Sequence, residues 1–279
     1  MSDLLGSVVI PAYNEGAVIR RCLDRVFTGL HPHEVEVVVA CNGCTDDTVL
    51  QAKESGYPIT ILDLPEPNKA GALRAAERAV TALPRVYLDA DVEVTGDTLR
   101  TVLSALAEGA VAARPPLRYD TSRSTWLVRR YYAARAALPG VMSELCSAGV
   151  YGFSETARAR FDEFADITAD DLFAARIVAP DEVVVVDSPP VIVHTPRDSR
   201  SLIRILKRVY RGNEQLAAAR PDLARSTTAG TLRDLLALAR RPHHTLDAIV
   251  YALFVIAARV LGRVDRAPVR WERDDSSRV

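Results

Sequence analysis

The chain is poor in cysteine, has no excess of either charge and contains no apolar run of bilayer length. Its 279 residues include four cysteines, Cys22, Cys41, Cys44 and Cys146. So few exclude a dense disulfide framework and suit a reducing compartment. Lys plus Arg number 35 and Asp plus Glu 36, so no global basic charge points to nucleic acid. The longest apolar run, Ala248–Ala258, falls well short of the roughly 20 residues a spanning helix needs. The first stretch, MSDLLGSVVIPAYNE, lacks a basic segment followed by a sustained apolar one, so no signal peptide is expected. Cys41-Asn42-Gly43-Cys44 is a C-x-x-C pair without a second pair or paired histidines to complete a closed zinc site. It reads as small polarizable residues in a turn.

What is there is an alternation. Apolar, β-rich runs occur at Val8–Ile10, Val35–Ala40, Ile59–Leu64 and Val86–Leu88. Helical patterns lie between them at about Ala17–Phe27, Asp46–Glu54 and Ala70–Leu83. Short, nearly all-apolar strands are expected where helices cover both faces of a parallel sheet. The pattern therefore predicts an open α/β sheet, whose ligands bind at the carboxyl ends of the strands. PAYNE, CNGCTDD and DAD, which follow the first, second and fourth strands, should share that rim. Each has a plain reading as a turn or helix start: Pro11 and Asn14 shape a turn, and Thr45 or Asp46 caps a helix. Their coincidence on one edge favours a site.

Asp89-Ala90-Asp91 places two carboxylates one residue apart at the end of an apolar strand. Two unit charges about 4 Å apart repel by roughly 4 kcal/mol at the dielectric suited to a protein surface. Water at a surface turn offsets some of that. A divalent cation would reverse it.

The segments VVIPAYNEGAVIRRCLDRV, EVVVACNGCTDDT, NKAGALRAA and YLDADVEV together resemble successive motifs of the family 2 glycosyltransferases, which have the GT-A fold. The likeness continues through SAGVYGFS, ADDLFAARIV and RVYRGNEQL and covers roughly residues 6 to 215. It implies a mostly parallel, Rossmann-like open sheet, a nucleoside-diphosphate sugar donor, and Mg2+ or Mn2+ as cofactor. Pro11, Tyr13 and Glu15 would lie beside the base and ribose. Asn42 stands where the family usually has Asp, which leaves the base open, because an amide donates as well as accepts. Lys69 is a candidate for the nucleotide or its phosphates, with a solvated lysine at a helix start as the plain alternative. Asp91 would bind the metal directly, and Asp89 would approach the ribose or the metal's water shell.

Further roles follow from the same resemblance. Asp170 and Asp171 match the family's acidic motif, one of them serving as general base for an inverting reaction. Gly149 and Gly152 would allow close approach of a sugar or acceptor. His194 is either a further metal ligand or a strand-end histidine. Arg208 or Arg211 would clamp the diphosphate. Ile205 and Val209 replace the Gln and Trp associated with processive synthesis, so the resemblance implies single-sugar addition. His31 and His33 read as incidental, and His243 and His244 as solvent-facing.

Beyond residue 215 the pattern is helical, which suggests a catalytic domain over 1–215 and an extension over 216–279. The apolar run there, flanked by Arg240, Arg241, Arg263 and Arg266, is expected mainly to pack within the chain or in a homodimer, with peripheral membrane contact at most. The tail WERDDSSRV is expected to be disordered. The acceptor stays open between a lipid-linked and a small molecule, and the location expected is the cytoplasm or the inner membrane face. Two other classes remain as alternatives. A sugar-phosphate nucleotidyltransferase would need a Gly-rich N-terminal loop, which PAYNEGAVIRR lacks. A noncatalytic scaffold would not need Asp89, Asp91, Asp170 and Asp171.

Overall fold

The computed structural model describes residues 4–31, 33–167, 170–223 and 228–264. The tail 271–279, Arg266 and residues 168 and 169 ahead of Asp170 lie outside them. Strands form where β-branched residues crowd. β1 (Ser7–Ala12) and β2 (Glu36–Asn42) carry runs of valine and isoleucine and pair in parallel. Between them α1 (Gly16–Val26) buries Val18, Ile19, Cys22, Leu23 and Val26, the single apolar face its spacing dictates. The alternation continues through α2 (Thr48–Lys53), β3 (Thr60–Leu64), α3 (Lys69–Ala79) and β4 (Arg85–Leu88). α3 stops short of Leu83. Val80 is already extended, and a proline at 84 disfavours helix in the residue before it. β3 is an edge strand, so it is only partly buried, unlike the runs beside it.

The next elements are α4 (Gly96–Ala107), β5 (Ala112–Arg114), β6 (Leu117–Asp120), α5 (Trp126–Ala137) and α6 (Pro139–Met142). They are followed by β7 (Val150–Phe153), α7 (Glu155–Arg158), α8 (Asp170–Ile177), β8 (Val183–Val185) and β9 (Val191–His194). One sheet has seven strands in the order β3-β2-β1-β4-β7-β5-β8, and β6 pairs with β9 in a second. In the large sheet β7 runs antiparallel to β4 and β5, and the remaining pairs are parallel. The expected open, mostly parallel α/β sheet is therefore present, with one reversed strand that strand–helix alternation did not foretell.

Contacts group the chain into two units. The first holds the described residues up to Leu117, with Leu145–Asp166 and Phe173–Ile192. It contains a buried ionic cluster. Glu77 on α3 accepts from Arg85 on β4 at 2.6 Å, from the Tyr87 hydroxyl at 2.7 Å and from Arg158 on α7. Glu77 and Arg85 are each 7% exposed. Burial first, and then the Glu77 charge, push the Tyr87 phenol well above its ordinary range. Removing one partner of such a set leaves charge buried without compensation, which typically costs about 3–5 kcal/mol. Glu77→Ala should therefore lower the midpoint of the sheet's urea unfolding sharply. An unchanged midpoint would show that Arg85 and Arg158 find other partners.

The second unit holds Arg118–Glu144, Ile167, residues 170–172 and the described chain from Val193 onward. Its helices are α5, α6, α9 (Ser199–Ala219), α10 (Thr228–Ala239) and α11 (Thr245–Val264). Val128, Tyr131, Leu202, Leu206, Leu238, Tyr251, Phe254 and Ala258 form their shared core. Tyr131 stacks on Tyr251 with ring centroids 4.9 Å apart and meets Phe254 edge-on. The boundary expected at 215 falls inside α9, whose Leu202, Leu206 and Leu216 are all buried. Leu202 and Leu206 of that helix belong to the shared core.

The expected packing of the C-terminal apolar run is present, since α11 packs on α5 and α9. The helix is longer than that run. It continues through Arg259, and Thr245–Gly262 has a mean hydropathy of 1.8, long and apolar enough by composition to cross a membrane. His244 departs from its solvent-facing expectation: it is partly buried, with Nδ1 3.1 Å from Asp247. His243 is exposed.

Candidate active site

β1 lies where the strand order reverses, with β2 and β3 to one side and β4 to the other. The crevice outside the carboxyl ends of such strands is where open α/β sheets bind ligands. The loops there are tied to one another. Asn14 adopts a positive φ of 52°, and its Oδ1 accepts from the Thr45 N–H at 2.7 Å. The Glu15 N–H donates to Thr48 Oγ1 at 2.7 Å, and the Gly16 N–H donates to Asp46 Oδ2 at 3.1 Å. Asp46 also accepts from the Thr48 N–H at 3.0 Å, although the residue at the N-cap position of α2 is Asp47. The β1 and β2 loops thus form one braced rim, with Pro11 buried, Tyr13 partly exposed and Glu15 buried.

Asn42 has a structural task. It is buried, and its amide nitrogen donates to the Ala12 carbonyl at 2.9 Å, joining the ends of β1 and β2. Gly43 follows with φ of 60°, and a Cβ there would lie 2.5 Å from the Pro67 nitrogen. Only glycine allows the two loops to approach so closely.

The Asp89-Ala90-Asp91 turn leaves the end of β4. The Asp89 N–H donates to the Gly149 carbonyl at 2.8 Å, and the Val92 N–H returns to the Asp89 carbonyl at 3.0 Å. Asp91 is exposed. The Lys69 ammonium, at the start of α3, donates to Asp89 Oδ1 at 2.9 Å. Part of the repulsion between the two carboxylates is therefore offset by a lysine that sequence spacing alone could not pair with them.

The two glycines expected near a sugar or acceptor also have packing tasks. A Cβ at Gly149, where φ is 67°, would meet Val92 at 2.7 Å and Asp89 Oδ2 at 3.1 Å. Gly149 thus makes room for the Asp89 turn itself. Gly152 lies within β7, and a Cβ there would meet Leu106 at 2.6 Å. Its role is core packing of α4 on the sheet.

In the second unit, Asp170 and Asp171 open α8, where a helix start favours acidic side chains. Asp170 is 4% exposed, whereas Asp171 is partly open. His194 ends β9 with Nδ1 3.2 Å from Asp120 Oδ2. Asp120 is held below the usual carboxylate range, chiefly by hydrogen bonds from Ser122 and then by His194. Arg208 is exposed and Arg211 partly buried on α9, three residues apart and so on one side of the helix.

Among the described residues, no three His, Cys, Asp or Glu side chains converge as a metal cage. Asp89 and Asp91 offer hard oxygens only. That suits Mg2+ or Mn2+, which keep coordination positions for water and phosphate oxygens, better than it suits zinc.

A model of the family described as Glycosyl transferase family 2 matches residues 7–168. The chain belongs to that family. A comparison with curated protein sequences finds no match. Among solved structures, the mannosyltransferase PcManGT from Pyrobaculum calidifontis, in complex with GDP-Man and Mn2+, aligns with a TM-score of 0.65 and 21% identity, over 94% of this chain and 87% of that one. Glucosyl-3-phosphoglycerate synthase from Mycobacterium tuberculosis, with Mn2+, UDP and glucosyl-3-phosphoglycerate, aligns at 0.52 and 23%, over 76% and 79%. The same enzyme with Mg2+ and UDP aligns at 0.52, over 76% and 78%. These likenesses establish the GT-A glycosyltransferase fold.

In this family 2 chain the C-x-x-C turn has its own chemistry. A hydrogen bond from Cys41 is the main cause that lowers the Cys44 thiol to about 6, and the Asn14 N–H, 3.4 Å from Cys44 Sγ, adds to it. Burial pushes the Cys22 thiol up. A lowered pKa means that thiolate dominates above about pH 6. Alkylation of Cys44, followed by mass spectrometry, should therefore level off just above that pH, while Cys22 stays unmodified. A Cys44 rate that keeps climbing through the ordinary thiol range near pH 8.5 would contradict the turn's geometry.

Proposed function

We propose that this glycosyltransferase moves a single hexose from a nucleoside-diphosphate sugar to an acceptor hydroxyl, with inversion at the anomeric carbon. The observation that carries the reading is the Asp89–Asp91 turn at the strand-order reversal, with Lys69 seated on Asp89. Asp91 would hold Mg2+ or Mn2+, and Asp89, oriented by Lys69, would meet the ribose or the cation's water. A bound cation would supply neutralisation of the leaving diphosphate. His194 is proposed as a further ligand, because Asp120 takes its Nδ1 and fixes the ring as carboxylates do for metal-binding histidines. Pro11, Tyr13 and Glu15 would bound the nucleoside. Arg208 and Arg211 would pair with diphosphate oxygens, for which paired guanidinium groups are suited.

Asp171 is the proposed general base. Its partial exposure admits an acceptor, whereas Asp170 is enclosed. The carboxylate takes the acceptor's hydroxyl proton as that oxygen bonds to the sugar carbon. The bond from that carbon to the diphosphate breaks on the opposite side, which inverts configuration. Ile205 and Val209, in place of the residues of processive relatives, support one addition per encounter. Activated sugar donors and a chain poor in cysteine suit the cytoplasm.

The neighbours' complexes with GDP-Man and UDP-glucose set the test panel. The purified chain should bind one nucleotide sugar of such a panel in the presence of Mn2+ and release its nucleoside diphosphate when acceptor is added. Pyrophosphate formation would instead indicate a nucleotidyltransferase. Neither product, with no donor binding, would indicate a scaffold.

A further inference from the structure

α11 buries one face and shows another. Ala248, Val250, Tyr251, Phe254 and Ala258 are inside the helical core. On the other side Leu246, Ile249, Leu253, Ile256 and Val260 are exposed, Leu253 by 61% and Ile256 by 57%. Those five recur alternately three and four residues apart, which places them on a single stripe. α10, joined to α11 by a short turn, exposes Leu232 and Leu236, four residues apart. A contiguous apolar surface of this kind marks a contact with something less polar than water.

The charges around it identify what. Arg233, Arg240 and Arg241 are exposed, with no carboxylate at ion-pair distance among the described residues. Arg259 borders the stripe and lies over the Tyr210 ring at 5.0 Å. The acidic residue of α11, Asp247, is 3% exposed and paired with Arg130 and His244. The carboxylate of α10, Asp234, is partly exposed and lies beside Gly140, where a Cβ would be 3.3 Å from its Oδ2. The hairpin therefore presents aliphatic side chains with three exposed arginines against one partly exposed carboxylate.

Alternating three–four spacing would also fit a helix from a second copy. Paired in parallel, two copies of α11 would set Arg259 beside Arg259. Paired antiparallel, they would bring Arg240 and Arg241 toward the partner's Arg259. In neither arrangement does α11 itself supply a carboxylate, since Asp247 is buried and paired, and like charges flanking a helical seam oppose association. A bilayer of anionic lipid supplies both the apolar interior and the negative charge. Full insertion is disfavoured, because Tyr251, Phe254 and Ala258 would have to leave the protein core.

We propose that α10 and α11 form a peripheral docking surface for anionic membranes, with the Leu246–Val260 stripe laid into the interface and the arginines on lipid headgroups. Co-sedimentation of the full chain with vesicles tests it. The chain should pellet with phosphatidylglycerol-containing vesicles and not with pure phosphatidylcholine, and salt should weaken the binding. Each basic residue near the surface contributes roughly a fivefold factor. Arg240→Gln with Arg241→Gln should therefore weaken binding by more than tenfold. Ile249→Gln, Leu253→Gln and Ile256→Gln combined should abolish it, with circular dichroism unchanged because the positions are exposed. If that triple variant lost helix, the arginine pair and the salt titration on the natural chain would still decide. Equal binding to both vesicle types, or full binding by the triple variant, would overturn the proposal. So would an absence of vesicle binding together with a dimer mass in light scattering that the triple variant halves, since that result assigns the stripe to a second copy.

Discussion

Asp171→Asn is expected to bind donor normally and to transfer sugar roughly 10²–10⁴-fold more slowly, the usual worth of a general base. The amide keeps the shape of the side chain and cannot take a proton from the acceptor. Asp170→Asn is the paired control. Asp170 is almost enclosed at the start of α8, so its replacement should cost stability more than turnover. Isothermal calorimetry with donor and single-turnover transfer assays on both variants separate binding from chemistry. A large loss of turnover in Asp170→Asn alone would move the base to that residue. Near-normal turnover in both would remove the α8 acids from the chemistry and count against inversion.

Asp91→Ala is expected to remove metal-dependent donor binding. Groups that merely orient a metal's ligands are typically worth roughly 10–100-fold in affinity, so loss of a ligand should cost at least that. Calorimetry of UDP and GDP with and without Mn2+ reads this directly, without any turnover. The fold should survive, because Asp91 is exposed on a turn and lies outside the sheet's core. Lys69→Met gives a useful contrast. It frees Asp89 from its 2.9 Å partner and restores the repulsion between the two carboxylates. Affinity for the cation alone should rise, while affinity for the donor should fall. Metal-linked donor affinity unchanged in Asp91→Ala would place the cation elsewhere.

The rim of the site was legible from local pattern. VVIPAYNE, EVVVACNG and YLDADVEV each read as an apolar strand followed by polar residues, and parallel strands put those ends on one edge. The roles of individual residues on that rim were less legible. Asn42, expected near the base, also ties Ala12 through its amide nitrogen. Gly149 and Gly152, expected near a sugar or acceptor, also make room for Asp89, Val92 and Leu106. Such tasks depend on which strand is a neighbour, and β4 and β7 lie more than sixty residues apart in the chain.

Three things were determined by sequence alone: the α/β class, the acidic turn after the fourth strand, and the helical character of the C-terminal region. Each rests on periodicity or on adjacent residue types, which are properties of neighbouring positions. Tertiary structure alone decided the reversed strand β7, the Lys69–Asp89 pair, the buried set around Glu77 and the place of α9 in one helical core. It also decided which side of α11 remains exposed. An apolar run on nearly every side of a helix contains no record of which face its neighbours will cover. That was settled by α5 and α9, which cover Tyr251, Phe254 and Ala258 and leave Leu253 and Ile256 in contact with the surroundings.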